Sequence, residues 1–256
     1  MERKDSILHQ ETVRLNRYLA LAGVGSRRKN DELILSGAVK INGRVVKELG
    51  TRVHPARDRV MVQGKTVELA QKYVYILFNK PKDCITTVSD ERGRTTVMHY
   101  VRVRQRVYPI GRLDRDTTGI LLLTNDGALA HQLTHPSFEV EKVYRARLDR
   151  GIVDADVRSL MKGIRLREGA IKVRQAAVLP ATRKTEVLIT VHEGRNHLVK
   201  RIFEKIGYDV KRLDRVAFAG LTTTGVARGK WRFLNWTEVQ HLKSGSAIKQ
   251  ARQLDV

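Results

Sequence analysis

The chain has 256 residues and a formal charge of +22 at pH 7, since 49 lysines and arginines outnumber 27 aspartates and glutamates. Hydrophobic residues make up 41%, which excludes a disordered chain, and the single cysteine excludes a disulfide framework and a thiolate metal cluster. No apolar run reaches the roughly 20 residues that cross a bilayer, and the N-terminus lacks a secretory core, so we expect a cytoplasmic protein whose basic surface attracts nucleic acid.

The first 70 residues have the pattern of a small unit built from two helices and a hairpin. Apolar residues recur at helical spacing from 15 to 22, and Ser26 is placed to cap a second helix. The dipeptide Asn-Gly at 42–43 favours a type I′ hairpin turn. A further short strand is predicted at 59–62.

Three cations fill the first turn of the second predicted helix, Arg27, Arg28 and Lys29. Cations at this end of a helix oppose its dipole, typically by a few tenths of a kcal/mol each, so stability does not explain them. A phosphate at the helix N-terminus would be bound by the free N–H groups and by these side chains together. A merely solvated charged turn is the alternative interpretation.

The pattern changes to a succession of strands after a polar joint at about 70–72. Strands are predicted at 73–78, 107–110, 120–124, 140–148, 170–178, 186–191, 210–218 and 231–234, and helices at about 127–134, 154–162 and 197–206. Because several strands follow one another through short turns, we predict an α+β fold with a mixed or antiparallel sheet. The expected domains are 12–70 and 73–242, followed by a basic flexible tail at 243–256.

One acid stands out in this basic chain. Asp114 lies between Arg112 and Arg115, in a turn that leads into the apolar run at 120–123. An ionised group beside apolar strands needs a reason, and flanking arginines favour the charged form of a carboxylate that must attack or accept a proton. Taken alone, an aspartate between arginines is also typical of a surface turn with ion pairs.

Long motifs of this chain resemble two known families. The segment at about 12–70 resembles the αL RNA-binding domain, which is shared by a ribosomal small-subunit protein, some tRNA synthetases and RNA-modifying enzymes. The resemblance is carried by LNRYLALAGVGSRRKNDELILSGAVKINGRVV. The segment at 111–127, GRLDRDTTGILLLTNDG, resembles nearly throughout the catalytic motif of the bacterial ribosomal pseudouridine synthases of the RsuA/RluB-like group. Two further motifs of that family follow in the expected order, EKVYRA at 141–146 and HEGRNHLVKRIF at 192–203.

The resemblance implies an enzyme that converts uridine in RNA to pseudouridine, with no cofactor and no metal. Asp114 matches the catalytic carboxylate, which either attacks C1′ of the ribose or removes the C2′ proton. Tyr144 matches the tyrosine that would stack on the uracil and serve as the proton-transfer group at C5. Lys200 matches the basic residue that pairs with the catalytic aspartate and would keep it ionised. Leu198 stands where the family often has a glutamine, so no polar role is expected there.

The resemblance also implies contacts with the RNA. By family likeness, Arg112 fills the gap in the base stack or holds the flipped nucleotide. The other residues expected to bind RNA are Arg115, Arg195, Arg27, Arg28 and Lys29. The expected partner is ribosomal RNA, as a structured stem-loop or an assembling subunit, bound by a monomer without membrane contact.

The motifs leave the choice of RNA open. Overall likeness favours large-subunit (23S) rRNA, and small-subunit (16S) rRNA and tRNA are the alternatives. A ribosome-assembly factor could keep the fold without activity, but the intact set of Asp114, Tyr144 and Lys200 favours an enzyme. A metal-dependent nuclease is disfavoured, because the acids are not clustered as metal ligands would be.

Overall fold

The computed structural model describes residues 12–69 and 73–245 and divides between Tyr73 and Val74 into two compact units. The joint expected at 70–72 and the end of the chain from residue 246 onward lie outside the described residues. Within the described ranges, no helix is both long enough and apolar enough to span a membrane.

Two short helices and small antiparallel strands make up the first unit. The elements are β1 (Val13–Arg14), α1 (Leu15–Leu21), α2 (Arg27–Leu35), β2 (Val39–Ile41), β3 (Arg44–Val46), β4 (Arg52–Val53), β5 (Val60–Val62) and β6 (Lys65–Thr66). Strands β3, β2, β5 and β6 form one sheet in that order, and β1 pairs with β4. The cap predicted at Ser26 is confirmed, because its side chain accepts a hydrogen bond from the Lys29 backbone N at 3.2 Å. The Asn-Gly turn is also confirmed, with φ of 50° at Asn42 and 83° at Gly43.

The second unit is built around one large sheet. Its strands are β7 (Tyr75–Lys80), β8 (Tyr108–Pro109), β9 (Thr118–Thr124), β10 (Lys142–Leu148), β11 (Ile164–Leu166), β12 (Gly169–Ile171), β13 (Gln175–Val178), β14 (Glu186–Val191), β15 (Val210–Phe218), β16 (Leu221–Thr222) and β17 (Trp231–Phe233). Its helices are α3 (Val97–Tyr100), α4 (Gly127–Thr134), α5 (Asp154–Lys162), α6 (Leu198–Lys205) and α7 (Trp236–Ser244).

The order of strands in the large sheet is β13, β14, β10, β15, β9, β7 and β17, with β16 on β15 and β8 on β9. Every pair is antiparallel except β15 with β9, which is parallel. The predicted α+β fold with a mixed sheet is therefore confirmed. The central strands β10, β15 and β9 come from three distant parts of the chain, and they bring the 111–117 turn beside residues of β10 and β15.

Two sequence expectations differ from the structure. The single strand predicted at 170–178 is divided, because β12 pairs with β11 in a separate hairpin while β13 joins the edge of the large sheet. The last helix, α7, was not predicted, although Asn235 and Glu238 form a capping box that marks its start. It ends at Ser244, two residues into the segment expected to be tail.

The parallel contact between β9 and β15 depends on a glycine. Gly119 has φ of 108°, and a Cβ placed on it would lie 2.2 Å from the Arg215 carbonyl oxygen and 2.7 Å from the Arg215 N. Since both atoms belong to backbone, no side chain can swing aside to make room. Only glycine lets the end of the 111–117 turn lie this close to β15.

We expect Gly119→Ala to destabilise the second unit by roughly 3 kcal/mol or more, through strain at positive φ together with the backbone overlap. Thermal unfolding of the purified variant measures the loss. Gly169→Ala is the matched control, because Gly169 has φ of 118° and a Cβ added there would meet nothing within 4 Å. The Gly169→Ala variant has the strain of a positive φ without a backbone overlap. Equal losses of stability in the two variants would contradict the role given to the close contact at Gly119.

Candidate active site

A cavity of about 460 Å³ lies where the turn before β9 meets β10, β15 and the segment that joins β14 to α6. Asp114 and Tyr144 both line it, so the structure brings these two expected site residues together. The volume falls within the range of about 300–1,000 Å³ that is usual for small-molecule sites. The polar and charged residues of its wall are Arg112, Asp114, Thr117, Thr134, Lys142, Tyr144, Glu193, Arg195, Asn196, His197 and Arg215.

The backbone of the Asp114 turn is anchored by a lysine in the interior. Lys80 is fully buried at the end of β7, and its Nζ donates to the carbonyl oxygens of Asp114 at 3.0 Å and Thr117 at 2.8 Å. It also donates to the carbonyl of Arg115. Burial lowers the pKa of Lys80 to about 8. Three carbonyls of one turn thus converge on a single ammonium group, which fixes the position from which the Asp114 side chain projects.

A threonine ties the same turn to the preceding loop. Leu113 donates its backbone N–H to Thr86 Oγ1 at 3.2 Å, and the Thr86 hydroxyl donates to the Leu113 carbonyl at 2.8 Å. Neither Lys80 nor Thr86 was expected from the sequence. The available signal for the lysine was its place at the end of an otherwise apolar strand, YILFNK, where a charged residue needs buried partners.

Histidine is the basic side chain that the structure places beside Asp114. His197 Nε2 lies 3.4 Å from Asp114 Oδ1. His197 precedes α6 with φ of 51°, a left-handed conformation that turns the chain from the cavity wall into the helix. The Asp114 side chain is 27% exposed, so its carboxylate is accessible from the cavity, while Lys80 binds its backbone carbonyl.

Lys200, which was expected to pair with Asp114, has a different carboxylate as its partner in this structure. Lys200 Nζ donates instead to Asp116 Oδ2 at 2.6 Å. Helix α6 buries Val199 and Phe203 in the core, and this rotation directs Lys200 to the carboxylate two residues beyond Asp114. Burial raises the pKa of Asp116, but the hydrogen bond and the charge of Lys200 outweigh that effect and leave this pKa below its usual value.

Tyr144 lies on the central strand β10, where it is half-buried. It is paired with Ile189 of β14 on one side and with Arg215 of β15 on the other. The register between β10 and β15 shifts between Val143 and Tyr144, an irregularity of the kind that redirects side chains beside active sites. The ring therefore faces the same cavity as Asp114.

Two buried cations that were not expected from the sequence also line the cavity. Lys142 is 8% exposed and donates to the carbonyl oxygens of Val140 at 2.9 Å and His192 at 2.6 Å. Burial, assisted by the charge of Arg215, lowers the pKa of Lys142 to about 8. Arg215 is 2% exposed, and its Nε donates to the Ile120 carbonyl at 2.9 Å. Lys142 belongs to the EKVYRA motif and Arg215 to the strand predicted at 210–218, but nothing in the sequence marks them as buried.

The residues expected to bind RNA lie in three places. Arg112 and Arg195 are exposed and line the cavity, with Arg195 Nε 2.6 Å from Glu193 Oε2. Arg115 is exposed outside the cavity wall and lies 3.2 Å from Asp83. The others lie in the first unit, exposed in the first turn of α2, and are Arg27, Arg28 and Lys29. Leu198, where a glutamine is common in the family, is 4% exposed and packs in the core.

Each carboxylate of the 111–117 turn has a basic side chain beside it, His197 at Asp114 and Lys200 at Asp116. These carboxylates do not gather into a cluster of metal ligands. Within the described ranges, no group of three or more histidine, cysteine, aspartate or glutamate side chains has a geometry that could hold a metal ion.

Two family matches cover separate parts of the chain. Residues 74–205 match the RNA pseudouridylate synthase family, and residues 13–60 match the S4 domain. The first match includes the 111–117 turn, Tyr144 and the start of α6. The second covers most of the first unit, including the cationic turn of α2.

Individual relatives are similar along almost the whole chain. Ribosomal large subunit pseudouridine synthase B of Bacillus subtilis (strain 168) is 44% identical over 236 residues, which are 90% of this chain and 96% of the relative. An uncharacterized RNA pseudouridine synthase of Aquifex aeolicus (strain VF5) is 41% identical, over 93% of this chain and 96% of the relative. A crystal structure of a pseudouridylate synthase superposes with a TM-score of 0.65 at 28% identity, covering 90% of this chain and 99% of the other.

Proposed function

The chain belongs to the RNA pseudouridylate synthase family, with an S4 domain in its first unit, and on that premise we propose that it modifies large-subunit ribosomal RNA with Asp114 as its catalytic carboxylate. The family inferred from the motifs is confirmed, and the chain is an RNA pseudouridine synthase, an isomerase. In this reaction the C1′–N1 bond of a uridine breaks, the uracil turns, and a C1′–C5 bond forms. The observation that carries the assignment is Asp114 in the wall of a nucleotide-sized cavity.

The arrangement around Asp114 supports that role. A carboxylate at the cavity wall can reach the sugar of a flipped nucleotide, where it either attacks C1′ or removes the C2′ proton. His197 Nε2 lies 3.4 Å from Asp114 Oδ1 and is placed to orient the carboxylate in the cavity wall. Lys80 holds the turn by its carbonyls, so the attacking group is oriented before the substrate arrives.

Two further residues are assigned parts in the reaction. Tyr144 stacks on the uracil and transfers the proton at C5, a role supported by its half-buried ring in the wall shared with Asp114. Lys200 acts through Asp116, keeping the second half of the turn in place and adding positive charge behind Asp114. This indirect role replaces the direct pairing expected from the sequence.

The proposed substrate rests on charge and on the named relative. The relative from Bacillus subtilis is named for the large subunit, and the net charge of +22 suits a polyanionic partner. We propose a monomer that acts in the cytoplasm on rRNA or an assembling subunit. An S4 domain at 12–70 selects the RNA shape, and a catalytic domain at 73–242 flips the base. Arg112 and Arg195 hold the flipped nucleotide at the cavity, and Arg115 contacts the RNA outside it.

Pseudouridine mapping tests the substrate. Ribosomal RNA and tRNA are compared from cells with the gene, without it, and without it but carrying Asp114→Asn. We expect one or a few large-subunit positions to be lost on deletion and to return with the wild-type gene only. Loss of a position in small-subunit rRNA or tRNA would transfer the assignment to that RNA, and a position restored by Asp114→Asn would remove Asp114 from the chemistry.

The role of the first unit gives a separate prediction. If the cationic turn of α2 contacts phosphates, replacing Arg27, Arg28 and Lys29 together with Ala should flatten the dependence of log affinity on log salt by roughly 0.7–0.9 per lost contact. The rate at saturating RNA should hardly change. Binding of an rRNA fragment at several salt concentrations measures the slope.

The matched control removes the same charge elsewhere in the first unit. Arg44, Lys47 and Lys65 are exposed and lie outside the cationic turn, and their joint replacement with Ala should leave the slope near that of wild type. Equal slopes in the two triple variants would show that α2 is not the contact surface.

A further inference from the structure

Two buried cations lie against one aromatic ring beside the cavity. Lys142 Nζ is 5.8 Å and Arg215 Cζ is 4.6 Å from the centroid of the Phe218 ring. Lys142 is directly paired with Phe218 across β10 and β15, and Tyr144 is directly paired with Arg215. All four side chains line the cavity. The two cations are thus close neighbours of the tyrosine that is proposed to stack on the uracil.

Neither cation forms an ion pair within the part of the chain that the structure describes. There, no carboxylate oxygen lies within 4.0 Å of Lys142 Nζ or of the Arg215 guanidinium. Arg215 Nη2 is buried without a hydrogen-bond partner in that same part. Two neighbouring buried cations with no carboxylate in contact are expensive in folding free energy, so this arrangement indicates a negative group that arrives with the substrate.

The reaction itself produces a negative group at the base. When the C1′–N1 bond breaks, its electron pair stays on the uracil and is delocalised over N1, O2 and O4. The pair that then forms the C1′–C5 bond comes from the ring. Removal of the C5 proton together with protonation of N1 then gives neutral pseudouridine with no redox change. We propose that Lys142 and Arg215 bind the oxygens of the departing uracil and stabilise this transient negative charge. The proposal rests on the assignment of the cavity to the target nucleotide.

Burial favours the base over a phosphate as the occupant. The cavity also carries exposed arginines, Arg112 and Arg195, which suit a phosphodiester at its entrance. Lys142 and Arg215 are 8% and 2% exposed, so the group that meets them must enter the cavity as the flipped base does. Fixed charges also act more strongly on a developing anion where water is excluded.

The test compares two leaving groups. Large-subunit rRNA is transcribed in vitro with uridine or with 5-fluorouridine, whose electron-withdrawing fluorine makes the base a better leaving group that needs less help. Nuclease digestion and mass spectrometry measure, under single-turnover conditions, the loss of the N-glycosidic nucleoside at the target position. The variants are Lys142→Met, Lys142→Arg and Arg215→Lys. The control is Lys211→Met, which removes an exposed lysine from β15. RNA affinity and thermal unfolding are measured for each.

We expect Lys142→Met to slow uridine isomerisation by about 10²-fold, the usual effect of removing one group that stabilises a developing anion. Its RNA affinity should stay within about threefold of wild type, and its defect should be at least tenfold smaller with 5-fluorouridine. Lys142→Arg and Arg215→Lys keep the charge and should retain most of the rate. Equal defects on both substrates, or a loss that is entirely one of affinity as a phosphate contact would give, would overturn the proposal.

The pH profile supplies a second readout that does not depend on Lys142→Met folding. The charged and titratable neighbours of Lys142 are Arg215, Glu193 and His192, and its pKa is lowered to about 8. The wild-type rate should therefore decline as the pH rises through about 8 and Lys142 loses its proton. Lys142→Arg keeps its charge and should lack that part of the decline. An identical profile in the two proteins would overturn the proposal.

Failure of the substrate assignment gives a different result. If wild-type protein leaves large-subunit rRNA unmodified, the RNA class is wrong. The comparison of the two leaving groups is then made on the RNA that loses a pseudouridine in the deletion strain. The inference about Lys142 and Arg215 is tested by the ratio of the rate defect with uridine to the rate defect with 5-fluorouridine, and this ratio does not depend on the RNA class.

Discussion

Replacement of Asp114 with asparagine is expected to lower the single-turnover rate of pseudouridine formation by several orders of magnitude, on the order of 10⁴-fold, with RNA affinity little changed. The amide has the size of the carboxylate, but it can neither attack C1′ nor accept the C2′ proton. The turn itself should be preserved, because Lys80 and Thr86 hold it through backbone groups of Leu113, Asp114 and Thr117. Rapid-quench assays on excess enzyme, with RNA binding measured in parallel, separate chemistry from affinity.

The matched control lies two residues along the same turn. Asp116→Asn removes the same charge from a carboxylate that faces Lys200 rather than the cavity, at 2.6 Å. We expect this variant to lose far less activity, because it disturbs only the support of the turn. If Asp116→Asn were as inactive as Asp114→Asn, or if purified Asp114→Asn formed product above a contamination control, Asp114 would not be the reacting carboxylate.

The sequence predicted the parts of the site that depend on long motifs. GRLDRDTTGILLLTNDG and EKVYRA placed Asp114 and Tyr144 together, and the structure has both in one cavity wall. The partner of Asp114 was not predictable in the same way. The family resemblance paired Lys200 with Asp114, but a second acid lies in the same turn. Only the rotation of α6, set by its buried side chains, decides that Lys200 meets Asp116.

Buried cations were the part of the site that the sequence predicted least well. Lysines and arginines in a chain of charge +22 are expected at the surface. Lys80 ends an otherwise apolar strand, but nothing local distinguishes Lys142 or Arg215 from the other cations. Their burial follows from the pairing of strands far apart in the sequence, such as β15 with β9. The division of the 170–178 strand has the same origin, because the two halves find different partners. Local patterns predict elements, but long-range pairing determines which charges become interior.

Replacement of Tyr144 with phenylalanine is expected to separate the two roles proposed for this residue. The ring, half-buried in the cavity wall, would still stack on the uracil, so RNA affinity should stay near that of wild type. Without the hydroxyl the C5 proton has no acceptor, so the N-glycosidic bond should still break while pseudouridine release falls by about 10²-fold or more. Tyr144→Ala should also weaken binding, because it removes the stacking face.

The measurement follows both nucleosides in one reaction. Single-turnover samples are digested and analysed by mass spectrometry for loss of uridine and gain of pseudouridine, and an intermediate shows as uridine lost without product gained. Tyr208→Phe is the matched control, because the Tyr208 hydroxyl donates to Asp156 at 2.7 Å outside the cavity. Its loss should reduce stability by about 1 kcal/mol without slowing turnover. Full activity of Tyr144→Phe would limit the role of Tyr144 to stacking. The proton acceptor would then be another group of the cavity wall, and His197 and the carboxylate of Asp114 would be the first to be replaced.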